Sequence, residues 1–321
     1  MPKVVTGQSP TLILSGIVIT ALLFAAAVMI PFFGVFAVLV IPLPVLFYRL
    51  KLGRFYGGIV PAAAFLLWLG QTGGLTADLF FFLGQLVMGF SLGECLERRL
   101  PIEKTIGVAA GVVFLAAICT LFLYTNAAGL DIGVFLSDYI KANLAVYQEA
   151  YKTLDMPSEQ MQALSVAFEH APYVIVRILP GICMAAALFG AWINLLLARP
   201  LLKVGCPDIE RFERLNQWKA PEHFVWGIIG FGVLLLIPEV GIKLTGFNGL
   251  IVLLPVYFFQ GIAIVSFYFN KKRLPAAMKW FLYSMIALQI YALILVIGLG
   301  IFDIWLDFRK LKQPTETNGV S

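Results

Sequence analysis

Residues 11–30 read TLILSGIVITALLFAAAVMI, twenty consecutive positions without a charge. As a helix this stretch rises about 30 Å, the thickness of the hydrocarbon core of a bilayer. Eight further apolar runs follow, at 32–48, 55–70, 77–95, 105–124, 172–198, 224–242, 247–270 and 276–307. The runs at 32–48 and 55–70 are short and carry Pro42, Pro44 and Pro61, which predicts kinked or partly interfacial spans. The last run exceeds one crossing, so it either tilts or extends beyond the membrane. With 60% of the residues hydrophobic and 13% charged, a soluble domain is excluded. The expected fold is an all-α polytopic membrane protein of about nine transmembrane helices.

Charge sets the expected orientation. Lys and Arg are retained on the cytoplasmic side. With the amino terminus inside, most of the 23 Lys and Arg residues fall in cytoplasmic segments, including Arg49, Lys51, Arg54, Arg98, Arg99, Lys104, Arg199 and Lys271. Nine crossings put Arg309, Lys310 and Lys312 outside, against the rule, unless one segment is re-entrant. The net charge of +5 is dispersed among short linkers and forms no basic patch interleaved with aromatics, which argues against nucleic acid as a partner. The first run is longer than a signal-peptide core and another run follows it at once, so it reads as a span. Cys95, Cys119, Cys183 and Cys206 imply no disulfide framework.

One long polar interruption, 126–170, separates the fifth and sixth runs. Ile132, Leu136, Tyr139, Leu144, Tyr147, Tyr151 and Leu154 recur at helical spacing, predicting an amphipathic helix. Asp155, Met156 and Pro157 read as a helix restart, with Met161, Leu164 and Phe168 facing one way. The segment carries six acids, Asp131, Asp138, Glu149, Asp155, Glu159 and Glu169, against Lys141 and Lys152. It reads either as a cap over an outer cavity or as a helical hairpin on the membrane surface. In the linker 199–223, Ile209, Phe212, Leu215 and Trp218 alternate with Arg211, Arg214 and Lys219. That pattern suits an interfacial helix facing anionic lipid, or a partner-docking helix.

Arg177 is the most unusual residue inside a span. It lies five residues past Pro172, about 8 Å below the outer helix end, a depth that permits snorkelling at less than the roughly 2.5–3.5 kcal/mol cost of the midplane. A guanidinium there either clamps a carboxylate or phosphate with paired hydrogen bonds, or forms an internal salt bridge with Asp78, Glu169 or another outer acid. Gln85, Asn194, Gln260 and Gln289 read as helix-tying amides. Ala21/Ala25, Gly107/Gly111 and Ala186/Gly190 are small pairs that allow close helix approach. Glu94 and Arg98 are one helical turn apart and read as a surface ion pair. There is no GxxxxGK[ST] loop and no HExxH, and His170 and His223 sit near opposite faces. No enzyme activity, cofactor or metal site is expected.

The span order, the outer insertion and the linker FERLNQWKAP at 212–221 together resemble the YybS-like family of uncharacterised bacterial polytopic membrane proteins. That family's fold is similar to the substrate-binding S components of energy-coupling-factor vitamin transporters. The resemblance implies a six-helix unit at 1–198 with the insertion 126–170; the apolar runs add, beyond that likeness, a linker at 199–223, a three-helix extension at 224–307 and a polar tail at 308–321. It implies substrate capture near the outer helix ends, under 30–31, the 70–74 turn and 126–170. The candidate ligand-binding residues are then Arg177, Gln71, Thr72, Asp78 and Asn126. Ala21 and Ala25 resemble the surface by which such components meet a transmembrane coupling protein, and ATP hydrolysis would come from partner ATPase subunits. A bacterial inner membrane protein that acts as a scaffold of the cell envelope, docked through 209–218 or the insertion, is the alternative.

Overall fold

The structure is a computed structural model, and it describes residues 9–74, 76–152, 158–205 and 215–310. Every regular element among them is helical: α1 Ser9–Met29, α2 Pro31–Val40, α3 Pro42–Thr72, α4 Ala77–Glu97, α5 Ile102–Ala127, α6 Ile132–Lys152, α7 Ser158–Gly205, a 3-10 turn Leu215–Gln217, α8 Phe224–Leu234, α9 Val240–Lys271, α10 Ala276–Leu288 and α11 Ile290–Leu306. Two compact units divide the chain, Met1–Glu210 and Arg211–Ser321.

In the first unit, α3 is a hairpin. Gly53, at φ 79° and ψ −179°, interrupts its helical backbone, and a Cβ on Gly57 would lie 2.6 Å from the Arg49 Cα. Eight residues of straight helix span about 12 Å, so the chain turns back on itself at Gly53. The backbone there lies in a region open only to glycine. The outward limb runs beside α1, where the Trp68 indole donates to the Ala21 carbonyl at 3.4 Å. The core nearby joins Phe24, Ile41, Val45, Ala64, Trp68, Leu79, Phe82 and Leu86. Phe24 stacks on Phe82 and meets Trp68 edge-on. Along α4, Gly89 lies against the backbone of Pro42 and Gly93 against Arg49, so α4 runs parallel to the first limb of α3. Asn194 ties α7 to α2 by donating to the Leu39 carbonyl at 2.8 Å, as expected of a buried amide.

In the second unit α8 and α9 form an antiparallel pair, with Gly246 and Gly249 against Phe231 and Gly227 against Leu253. Close packing of α9 and α11 uses Gly261 and Gly300, which sit on Val296 and Tyr257. The helices α10 and α11 are bent by 100° at a break where Gln289 adopts φ −103° and ψ 111°. Beyond α11, the Phe308 carbonyl accepts from the Tyr268 hydroxyl at 2.6 Å, three residues before α9 ends. Since α10 starts just after that same end, the bent pair dips in and returns to one face.

About nine crossings were expected; by length and apolarity six helices qualify, and seven if the bent pair is one span, with α3 counted once although it turns back at Gly53. With 11 residues, α8 reaches only about 16 Å, and the 276–307 run, uncharged from 280 to 302, changes direction at Gln289. Of the expected helix in 209–218, residues 209–214 lie outside the described residues; Leu215–Gln217 is a 3-10 turn, and Trp218 is buried at 8% exposure rather than facing lipid.

Candidate functional site

The outer insertion is built as a helical hairpin. Gly129, at φ 67°, closes α5 while the Leu130 amide donates to the Thr125 carbonyl, a left-handed glycine stop. Asp131 caps α6, its carboxylate accepting from the Val134 amide at 3.0 Å, as short acidic side chains do at helix starts. Ile132, Leu136 and Leu144 are half-buried as their spacing predicts, but Tyr139, Tyr147 and Tyr151 are exposed. The face of α6 turned inward also includes Ile140 and Gln148. Met161, Leu164 and Phe168 share the half-buried face of the first part of α7. The restart at 155–157 lies outside the described residues, and α7 continues without interruption through Pro172 and Pro180 into the membrane run.

Between α6 and α7 lies a cavity of about 720 Å3 lined by Asp131, Gly133, Val134, Ser137, Asp138 and Lys141 on one side and Glu169, Pro172, Tyr173, Val176 and Arg177 on the other. The Arg177 guanidinium carbon sits 3.5 Å over the centre of the Tyr173 ring, and its Nη1 donates to the Tyr173 carbonyl at 3.1 Å. This stacking fixes the plane of the guanidinium at the cavity wall. Lys141 pairs with Asp138 at 3.7 Å. Three carboxylates and two cations thus share one hollow, an arrangement that can hold a ligand bearing both signs of charge.

The other expected ligand residues lie elsewhere. Gln71 and Thr72 are exposed in the last turn of α3, the Thr72 hydroxyl bonding the Trp68 and Gly74 carbonyls. Asp78 is exposed in the first turn of α4 and Asn126 in the last of α5. None of the four lines the cavity. Of the charges in the insertion, only Glu169 was named in the sequence as an ion-pair partner for Arg177; the antiparallel packing of α6 on α7 brings Asp131, Asp138 and Lys141 to the same cavity.

Of the small-residue pairs, Ala21 and Ala25 pack against the internal cluster of the first unit. At Gly190 an added Cβ would meet Met88 at 3.4 Å, whereas at Gly107 and Gly111 it would meet nothing within 4 Å. Gly107 and Gly111 therefore mark an open face of α5; Ala186 is exposed on α7. Phe212 lies outside the described residues.

Two buried arginines escaped the sequence reading. Arg49, counted there as a linker base, is fully buried; its Nη2 donates to Glu94 at 2.6 Å and to Glu97. The expected Glu94–Arg98 pair is present at 2.9 Å beside it. In the second unit Arg309 and Asp303 form an ion pair at 2.7 Å with both side chains fully buried. Arg309 also donates to the Asn216 and Trp218 carbonyls. Gln260 donates to Asp303 and accepts from the Ala220 amide, and Lys219 pairs with Asp307 at 2.6 Å. These contacts fasten the end of α11 to the segment ahead of α8. Among the described residues no group of three or more His, Cys, Asp or Glu is placed to hold a metal ion.

Residues 18–304 match a family described as predicted membrane protein (DUF2232). The chain is also similar to the uncharacterized protein YybS of Bacillus subtilis (strain 168), 25% identical over 268 residues that cover 80% of this chain and 83% of that one. No solved structure matches it. With six apolar helices long enough to span a bilayer and a family match over most of its length, this chain belongs to the DUF2232 family of predicted membrane proteins.

Proposed function

We propose that this membrane protein captures a small charged molecule at the outer face of a bacterial inner membrane and passes it to a transport assembly. The single observation that supports this reading is the cavity of about 720 Å3 between α6 and α7, where Arg177, stacked on Tyr173, faces the same hollow as Lys141, Asp131, Asp138 and Glu169. Pockets of this size suit small molecules, and a few convergent charges supply orientation. In this reading the hairpin of α6 and α7 closes over the ligand, and the 70–74 turn with Asp78 and Asn126 borders the approach. Energy would come from a transmembrane coupling protein and ATPase subunits, following the likeness to S components. That step rests on fold analogy.

Binding of a defined metabolite set to the purified protein tests capture, with Arg177→Ala alongside. Loss of binding in the variant is expected; undiminished binding removes Arg177 from the site. Affinity purification tests the coupling step, which requires an ATPase module among the recovered proteins. A second reading, a scaffold of the cell envelope, is favoured by one feature of the same hairpin: Val146, Tyr147 and Tyr151 present an exposed apolar strip on α6. Recovery of envelope or division proteins, lost on Tyr147→Asp, supports the scaffold instead.

A further inference from the structure

We infer, resting on the capture reading, that the ligand is a zwitterionic glycerophospholipid, with its ammonium and phosphate in the charged cavity and an acyl chain in an apolar pocket beside it. The two hollows share a wall. Val134 lines the charged cavity and the next residue, Phe135, lines a pocket of about 350 Å3. Consecutive helical residues point about 100° apart, so the first turns of α6 serve both.

The second pocket is built from apolar side chains of α4 and α5, among them Phe80, Leu83, Val87, Ala116 and Leu121. Around it Phe81, Leu115 and Phe122 are exposed on two helices long enough to cross the bilayer, so the pocket opens toward hydrocarbon. A methylene chain fills such a groove, whereas a small hydrophilic solute gains nothing from it.

Charge selects the headgroup. The cavity presents Asp131, Asp138 and Glu169 against Lys141 and Arg177. A purely anionic ligand pairs with the two cations but meets three like charges. A headgroup carrying both signs pairs with both sets and is discriminated from anionic lipid by repulsion. The fork of Arg177 suits a phosphate, leaving the carboxylates for the ammonium.

The test uses the full-length protein in a detergent free of phospholipid, titrated calorimetrically with dihexanoylphosphatidylethanolamine, with phosphoethanolamine as the bare headgroup and with dihexanoylphosphatidylglycerol. The expected result is lipid binding at least about tenfold tighter than headgroup binding, because burying several methylenes is worth that much. Phosphatidylglycerol should bind more weakly, and Arg177→Ala and Gly84→Phe should each weaken the lipid by about tenfold or more. A Cβ at Gly84 would meet only Val113, at 3.8 Å, and Ala117→Leu at an exposed position of the same pocket is the second pocket variant should Gly84→Phe not fold. Headgroup binding as tight as lipid binding, and indifferent to the pocket variants, overturns the lipid assignment while leaving capture intact. Lipid binding unmoved by Arg177→Ala is ordinary bilayer contact and overturns it too, as does equal binding of phosphatidylglycerol. If no probe binds, the lipid assignment falls, and the metabolite titration decides capture separately.

Discussion

Arg309 and Asp303 carry the largest single-residue liability in the second unit. Each side chain is fully buried and each has the other as its ion-pair partner, so removing one leaves an uncompensated charge away from water. Arg309→Ala should therefore destabilise the protein by about 3 to 5 kcal/mol, read as a marked fall in thermal midpoint in detergent. Arg98→Ala supplies the contrast. Arg98 is 62% exposed where it pairs with Glu94, and its loss should cost no more than about 1 kcal/mol. An Arg98 variant as damaging as the Arg309 variant would show that burial does not set these energies. Neither burial was legible in the sequence, because a count of Lys and Arg by linker records charge and not depth. Arg49 stood in that count beside the exposed Arg54, though Gly93 leaves room for its side chain inside the unit.

At the scale of elements, two reversals decide the path of the chain, and only one could be read in advance. The break between the runs 32–48 and 55–70 was visible because charged residues interrupt apolarity there, and the hairpin turns at Gly53 between them. An added Cβ at Gly53 would meet nothing within 4 Å, while φ is 79°. Gly53→Ala therefore isolates the torsional cost, about 1 to 3 kcal/mol, and should lower the thermal midpoint without any packing defect. An unchanged midpoint would mean that the turn relaxes freely. The second reversal, at Gln289, lies inside an unbroken apolar run, and apolarity carries no information about direction. The end of α11 returns to the face where α9 ends, so Arg309 and Lys310 should share a side with Lys271. In a cysteine-free background, Lys272→Cys and Lys310→Cys should react with an impermeant maleimide from one side of the membrane, and Leu236→Cys from the other. Labelling of Lys310→Cys together with Leu236→Cys would make the bent pair a crossing.

For the molecule as a whole, the site was legible as an anomaly and not as an assembly. A lone arginine in an apolar run drew attention to Arg177, and of the residues expected near it Glu169 lines the same cavity while Gln71, Thr72, Asp78 and Asn126 do not. Those that do join it come from the antiparallel hairpin of α6 and α7. The placement of that hairpin in the first unit follows from α5, whose 26 residues rise about 39 Å from the basic turn holding Arg98 and Arg99 to the acidic segment opening at Asp131. One end of α5 is rich in Arg and the other in carboxylates, and basic residues stay on the cytoplasmic side. The cavity should then face outward. Arg99→Cys and Tyr147→Cys, both at exposed positions, test this in intact cells: Tyr147→Cys should be labelled by an impermeant reagent at once and Arg99→Cys only after permeabilisation. The reverse pattern would turn the cavity to the cytoplasm, where a molecule taken from outside could not reach it, and the capture reading would fail with its geometry unchanged.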